Sequence, residues 1–179
     1  EIADVLGRMR RGVDRLTSDS AMAEAFRLAN LAMETQRLWG GSSLVWRPFQ
    51  LGFLLLSMES TLDPQHPDRG VMDLLWFPTG GGKTEAYLGL VALVAFHRRL
   101  AGARPEDGDG VACIMRYTLR LLTTQQFIRA AATICACEAI RRGTVDAGRK
   151  LALGRTPFSL GLWVGGDATP NTRKDAFDN

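Results

Sequence analysis

The stretch Val71 to Leu90, VMDLLWFPTGGGKTEAYLGL, constrains this chain more than any other. An apolar run leads into three glycines, a lysine and a threonine, and then into an apolar, helix-forming segment. Strand, glycine turn and helix in that order form the grammar of a phosphate-binding loop. Gly80, Gly81 and Gly82 have no Cβ, so the turn can wrap closely round a phosphate chain. Amides of the turn and of the helix start would point at the anion, and the helix dipole adds partial positive charge. Lys83 would reach the β- and γ-phosphates, and the Thr84 hydroxyl would ligate Mg²⁺. These two are the candidate catalytic residues. The strict pattern G-x-x-x-x-G-K-[ST] fails at its first glycine, where Phe77 stands. The chain has 22 basic residues but only three lysines, Lys83, Lys150 and Lys174, so a lysine at the one position the chemistry requires is not background. The bland alternative is a glycine turn with no ligand.

At 179 residues, with 46% apolar and 23% charged residues, the chain suits one globular domain with a sizeable core. Its net charge is +3, unevenly spread: from Val111 onward there are ten Lys/Arg against five Asp/Glu. A basic C-terminal half is compatible with a nucleic-acid surface. Cys113, Cys135 and Cys137 lack the spacing of a metal site and read as buried thiols in a reducing cytosol. No run of 18 apolar residues suggests a membrane span, and no secretory signal is present, so a cytoplasmic location is expected. The chain begins at Glu1 and reads as a piece of something longer.

Two helices are expected first, Ile2–Leu16, with Ile2, Val5, Leu6, Met9, Val13 and Leu16 on one apolar face, and Ala21 to about Leu38, separated by a Thr17–Ser20 break that supplies an N-cap. Residues 1–45 form an N-terminal helical segment that packs beside the rest or serves as a partner surface. From Trp46 to Asn179 the pattern is α/β. A helix from Phe49 to about Met58 has Pro48 in its first turn. The apolar run ahead of the glycine turn, then Val111–Arg116 and Phe158–Val164, read as strands of a parallel sheet, joined by helices at Glu85–Leu100 and up to about Arg142 in a βαβαβ order. Thr61–Gly70, Gly102–Gly110 and Gly143–Pro157 read as connections.

Four stretches in this order resemble superfamily 2 helicases. TGGGKTE, Thr79 to Glu85, matches the family's relaxed phosphate loop. Arg47-Pro48-Phe49-Gln50 is similar to the Q motif. Thr118 to Gln126 is similar to motif Ia, with Arg120, Leu122 and Gln125 on its R, L and Q, and Thr118 and Leu119 departing from its Pro and Thr. Gly165-Gly166, followed by Thr169, resembles the GG element near motif Ib. The wording of RPFQLGFLLL, LLWFPTGGGKTEAYLGL, MRYTLRLLTTQQFIRA and GLWVGGDATPN is more similar still to the DrmA family, the helicase-like components of bacterial DISARM anti-phage systems.

The resemblance implies the first part of a RecA-like ATP-binding domain in an ATP-dependent DNA helicase or translocase. ATP with Mg²⁺ would be held by Gln50, Thr79, Gly80, Gly81, Gly82, Lys83, Thr84 and Glu85, the Gln50 amide reading adenine and Phe49 or Arg47 flanking the base. Thr118, Arg120, Thr123, Gln125, Gly165, Gly166 and Thr169 would grip the phosphate backbone of single-stranded or overhang-containing DNA. The partner subunit would be DrmB, with no membrane involved. Other readings stay open at this point. Gln50 as a surface residue and Thr118–Gln126 as a capped helix start are the less favoured alternatives, while the whole could be a small-molecule P-loop kinase or a scaffold that binds nucleotide without hydrolysis. No DExx motif occurs, so nucleotide binding without turnover is expected of these residues. For Arg120→Ala the expected outcome is weaker binding to single-stranded DNA of any sequence, with a shallower salt dependence, read by fluorescence anisotropy at several salt concentrations.

Overall fold

The regular structure is helical. The computed structural model describes residues 2–78, 80–117, 120–146, 151–163 and 172–177. Its helices are α1 (Ile2–Ser18), α2 (Ser20–Trp39), α3 (Pro48–Leu62), α4 (Lys83–Leu100), α5 (Arg120–Arg141) and the short α6 (Arg173–Phe177), with 3₁₀ turns at Pro67–Gly70 and Pro105–Gly108. Local chemistry explains the ends. The Asp19 carboxylate accepts the Met22 N–H at 3.0 Å and starts α2, while Pro48 occupies the first turn of α3. Gly82, in the left-handed region at φ 91°, opens α4, and His97, Arg98 and Arg99 face its negative end.

Helix α4 is apolar on nearly every side, and the structure buries it accordingly. Leu93 and Phe96 are fully enclosed in a cluster with Met22 and Leu28 of α2, Met58 of α3, Ile140 of α5 and Leu153. Ala25, Ala29 and Ala32 of α2 and Ala92 of α4 belong to the same cluster, and side chains this small let helix axes come close. The core therefore runs across residue 45 without a break. Helix α1 joins differently. Its only buried residue is Gly12, which lies so close to α3 that a Cβ would come within 2.2 Å of the Leu55 carbonyl oxygen. Ile2, Val5, Leu6 and Val13, expected on its buried face, are exposed.

The expected parallel sheet is not there. Among the described residues no strand or sheet forms, so the βαβαβ, RecA-like α/β reading is corrected. Residues 71–78, 111–117 and 158–163 form neither helix nor strand, and none pairs with another through backbone hydrogen bonds. Each run lies on helices instead. Leu74 and Leu75 face Phe49, Phe53 and Leu56 of α3. Residues 112–117 face Tyr87, Leu90, Val91 and Val94 of α4 across a cavity of about 450 Å³. Phe158 sets its ring edge-on to Phe96 and under the Arg99 guanidinium. The outward side chains stay exposed, Met72, Trp76, Ile114 and Trp163 by 85% or more. The physical reason is that a ladder needs a second strand at ~4.8 Å, and an apolar run does not carry its partner with it. The thiols also differ from expectation: Cys113 and Cys135 are exposed, and only Cys137 is buried. No helix among the described residues is long and apolar enough to cross a membrane.

The last of these runs is tied down by Glu138 of α5. Its carboxylate takes the Arg141 guanidinium in two contacts of 2.6 and 2.7 Å, Arg142 at 2.8 Å and the Phe158 N–H at 3.0 Å. Arg141 first, then Arg142 and the amide, hold the Glu138 carboxyl at about 2, below its ordinary 4.5, against the opposing effect of burial. A depressed carboxylate stabilises the fold fully above its unfolded value, and that contribution is lost as pH falls from about 4.5 toward about 2. Glu138→Gln is therefore expected to lower stability near neutral pH by about 2 kcal/mol, the value of hydrogen bonds to a charged group. It should also flatten the acid limb of denaturant midpoints measured across that pH window.

Candidate functional site

The glycine turn meets the start of α3. Gly80 at φ 78° and Gly82 at φ 91° both take the left-handed conformation, which turns the chain sharply into α4. Gly81 lies under the Phe77 ring, and a Cβ there would come 2.4 Å from it. Phe77 in turn stacks on Phe49 of α3, with centroids 4.0 Å apart and planes 15° from parallel. The residue that breaks the strict motif is thus a clamp between the turn and α3, and it works only because residue 81 has no side chain.

Polar contacts complete the junction. The Arg47 guanidinium donates to the Gly81 carbonyl at 2.8 Å, and the Gln50 amide nitrogen donates to the Gly82 carbonyl at 2.6 Å. The Gln50 amide oxygen accepts the Arg47 N–H at 2.8 Å. Gln50 is 3% exposed, so it is not the surface residue that one reading allowed. In this conformation both ends of its amide engage backbone. Lys83 folds back over the turn, its ammonium donating to the carbonyls of Phe77 and, at 3.2 Å, Pro78. Glu85, one residue past Thr84, is paired with Arg129 of α5. Thr84 is half-buried in the first turn of α4.

The structure therefore brings Arg47, Phe49, Gln50, Gly80, Gly81, Gly82, Lys83 and Glu85 together at one end of α4. Two cationic side chains and the N-terminus of an 18-residue helix converge there, an arrangement whose chemistry suits an anion. Lys83 must exchange its carbonyls for an anion to engage one. The cavity over the outer face of α4 is a separate feature, lined by residues 61–69, 87–98 and 112–117, and does not touch the turn.

The proposed nucleic-acid residues are less completely placed. Thr118, Gly165, Gly166 and Thr169 lie outside the described residues, as does Thr79 of the nucleotide set. Arg120 and Thr123 fall in the first turn of α5, and Gln125 is exposed one turn on. Glu85–Arg129 joins this helix directly to α4. Three partnerships escaped sequence reasoning: Phe49 with Phe77, Glu85 with Arg129, and Arg8 with Asp73. The signal for the first was the aromatic residue standing where the strict motif has glycine. The other two pairs lie 44 and 65 residues apart and left no local trace.

Comparison with known proteins adds one likeness. No family model matches the chain, and no solved structure matches it. It is 42% identical, over 97% of its length, to the DISARM protein DrmA of Bacillus paralicheniformis, and it spans about 17% of that protein's length.

Gln50→Ala would take from the Gly82 carbonyl and the Arg47 N–H their partner in a partly buried place. A loss of about 1–3 kcal/mol is expected from chemical denaturation. Amide exchange in the first turn of α4 should quicken, and unaltered exchange there would show that Gln50 does not brace the turn.

Proposed function

This chain is DrmA-like, and on that premise we propose that it serves in DISARM anti-phage defence as the ATP-binding part of a DNA helicase or translocase. The observation that carries this reading is the left-handed glycine turn that opens α4 with Lys83 as its first residue, faced by Arg47. The turn fits a polyphosphate: its left-handed angles suit glycine, and at Gly82 a Cβ would come 2.7 Å from the Gln50 amide. Lys83 and Arg47 bring two positive charges to the same end of the helix.

Magnesium fits the same place with one protein ligand. Mg²⁺ keeps most of its waters and takes few carboxylate or hydroxyl ligands beside substrate phosphates. The Thr84 hydroxyl is the group that would hold it, and the ion would neutralise charge on the phosphates. Lys83 binds and orients the phosphate chain, Arg47 and Gln50 hold the Gly81 and Gly82 carbonyls, and the Phe49–Phe77 stack keeps the turn seated. Hydrolysis needs a carboxylate pair of the DExx kind, which these residues do not contain, so the chain's own part is binding.

Single-stranded DNA is the proposed second ligand. Arg120, Thr123 and Gln125 at the start of α5, together with Thr118, Gly165, Gly166 and Thr169, supply the hydroxyls, amides and guanidinium that contact phosphate without reading bases. Helix α5 meets the phosphate turn through Arg129 and Glu85, which offers a direct route between the two ligands. A DrmB subunit is the proposed protein partner, and the cytoplasm, where phage DNA enters, is the proposed setting.

Calorimetric titration with Mg²⁺–ADP tests the nucleotide reading. Wild type is expected to bind, and Lys83→Ala to lose binding at least about tenfold, the scale of a charged hydrogen bond, while melting unchanged. A wild-type chain that releases no heat and gains no thermal stability with Mg²⁺–ADP would overturn the nucleotide reading.

A further inference from the structure

Asp73 is the one charged residue in the apolar run Val71 to Phe77. A carboxylate there calls for a partner, because partial burial without one is costly. The partner comes from the far end of the chain. Arg8 of α1 grips Asp73 with both terminal guanidinium nitrogens, at 2.7 and 2.8 Å, and the two side chains are only 16% and 20% exposed. The same guanidinium lies 4.0 Å from the Asp68 carboxylate and 3.5 Å from the Ser60 hydroxyl. One side chain thus joins α1, the end of α3, the turn after it and the run that enters the glycine turn.

This fork has few competitors. The run at 71–78 has no strand ladder to fix it. Its other holds include the Val71 N–H on the Asp68 carbonyl, the Phe49–Phe77 stack and, at its far end, the Gly81 N–H on the Pro78 carbonyl and the Lys83 ammonium on the Phe77 and Pro78 carbonyls. Arg8 is also well placed to act as a fixed point. It lies one helical turn before Gly12, on the same face of α1, and Gly12 is where α1 sits directly on the backbone of α3. Arg11 adds an ion pair to Glu59 of α3 at 3.0 Å. Downstream of Asp73 the run needs only four residues to reach Phe77, whose carbonyl holds the Lys83 ammonium.

We propose that Arg8 is a positioning residue for the phosphate turn: through Asp73 it fixes the run that carries the Phe77 and Pro78 carbonyls, and so sets where Lys83 rests. The N-terminal helix is then a working part of the site rather than a neighbour of it. That the turn receives a nucleotide rests on the function proposed above; the positioning itself does not.

The chain's few lysines make a ligand-free test available. An ammonium held by two carbonyls must leave them before it can be acylated. Lys83 labelling by an N-hydroxysuccinimide ester is read by peptide mass against exposed Lys174, in the whole chain, with melting recorded for each variant. In wild type, Lys83 is expected to react slowly relative to Lys174. Arg8→Ala, and Asp73→Asn from the other side, should raise the ratio about tenfold, the scale of a lost charged hydrogen bond. The charge swap Arg8→Asp with Asp73→Arg should bring it most of the way back. Ratios equal to wild type in a folded Arg8→Ala or Asp73→Asn chain overturn the proposal. So does a raised ratio that the swap fails to lower, since general loosening would not answer to the pairing of charges. Adding Mg²⁺–ADP to wild type separates the two ideas. Failure of the nucleotide to protect Lys83 counts against the ATP reading, and the ratios without nucleotide still decide the role of Arg8.

Discussion

Helix α4 has to be buried along its length and open at its first residue. Both demands are met by the same neighbours. Its middle, around Ala92, Leu93 and Phe96, is enclosed by α2, α3 and α5, and burial of a side chain such as Phe96 contributes roughly 1.5–3 kcal/mol. Its start, at Gly82 and Lys83, is met by the first turn of α3 through Arg47, Phe49 and Gln50. A rigid, buried helix whose exposed end is presented by a second helix is a sound platform for an anion site. The position of the amides is then set by core packing rather than by a free loop.

The turn itself is held by interactions that depend on one another. Gly81 must be bare for Phe77 to cover it, and Phe77 must cover it to reach Phe49. Gly82 must be left-handed and bare for Gln50 to reach its carbonyl. Lys83 rests on carbonyls whose place is set by these contacts. This is why an aromatic residue at the position usually given to glycine is compatible with this glycine turn: its ring uses space that the second glycine vacates.

The helices were largely legible in the sequence. Periodicity and caps placed α2, α3, α4 and the body of α5 within a few residues, because a helix satisfies its own backbone and its ends are marked by local residues such as Asp19, Pro48 and Gly82. The glycine turn was legible for the same reason. The sheet was misread. The runs at 71–78, 111–117 and 158–163 have the composition of buried strands, but pairing is a relation between distant segments, and these runs lie against helices instead. Helix α1 was legible as a helix and misread as to its face, since a close approach at Gly12, not an apolar stripe, seats it on α3.

The sequence by itself determined the helices, the glycine turn with its lysine and threonine, and the likeness to DrmA, all of which are written in residues close together along the chain. Only the tertiary structure decided what those residues touch. It placed Gln50 on the Gly82 carbonyl, Phe77 on Phe49, Arg129 on Glu85 and Arg8 on Asp73, and it left three apolar runs without a ladder. The reason is common to all of these: contacts between residues 28 to 65 positions apart depend on how whole helices pack, and packing is settled by the volume and shape of the assembled core rather than by any local pattern.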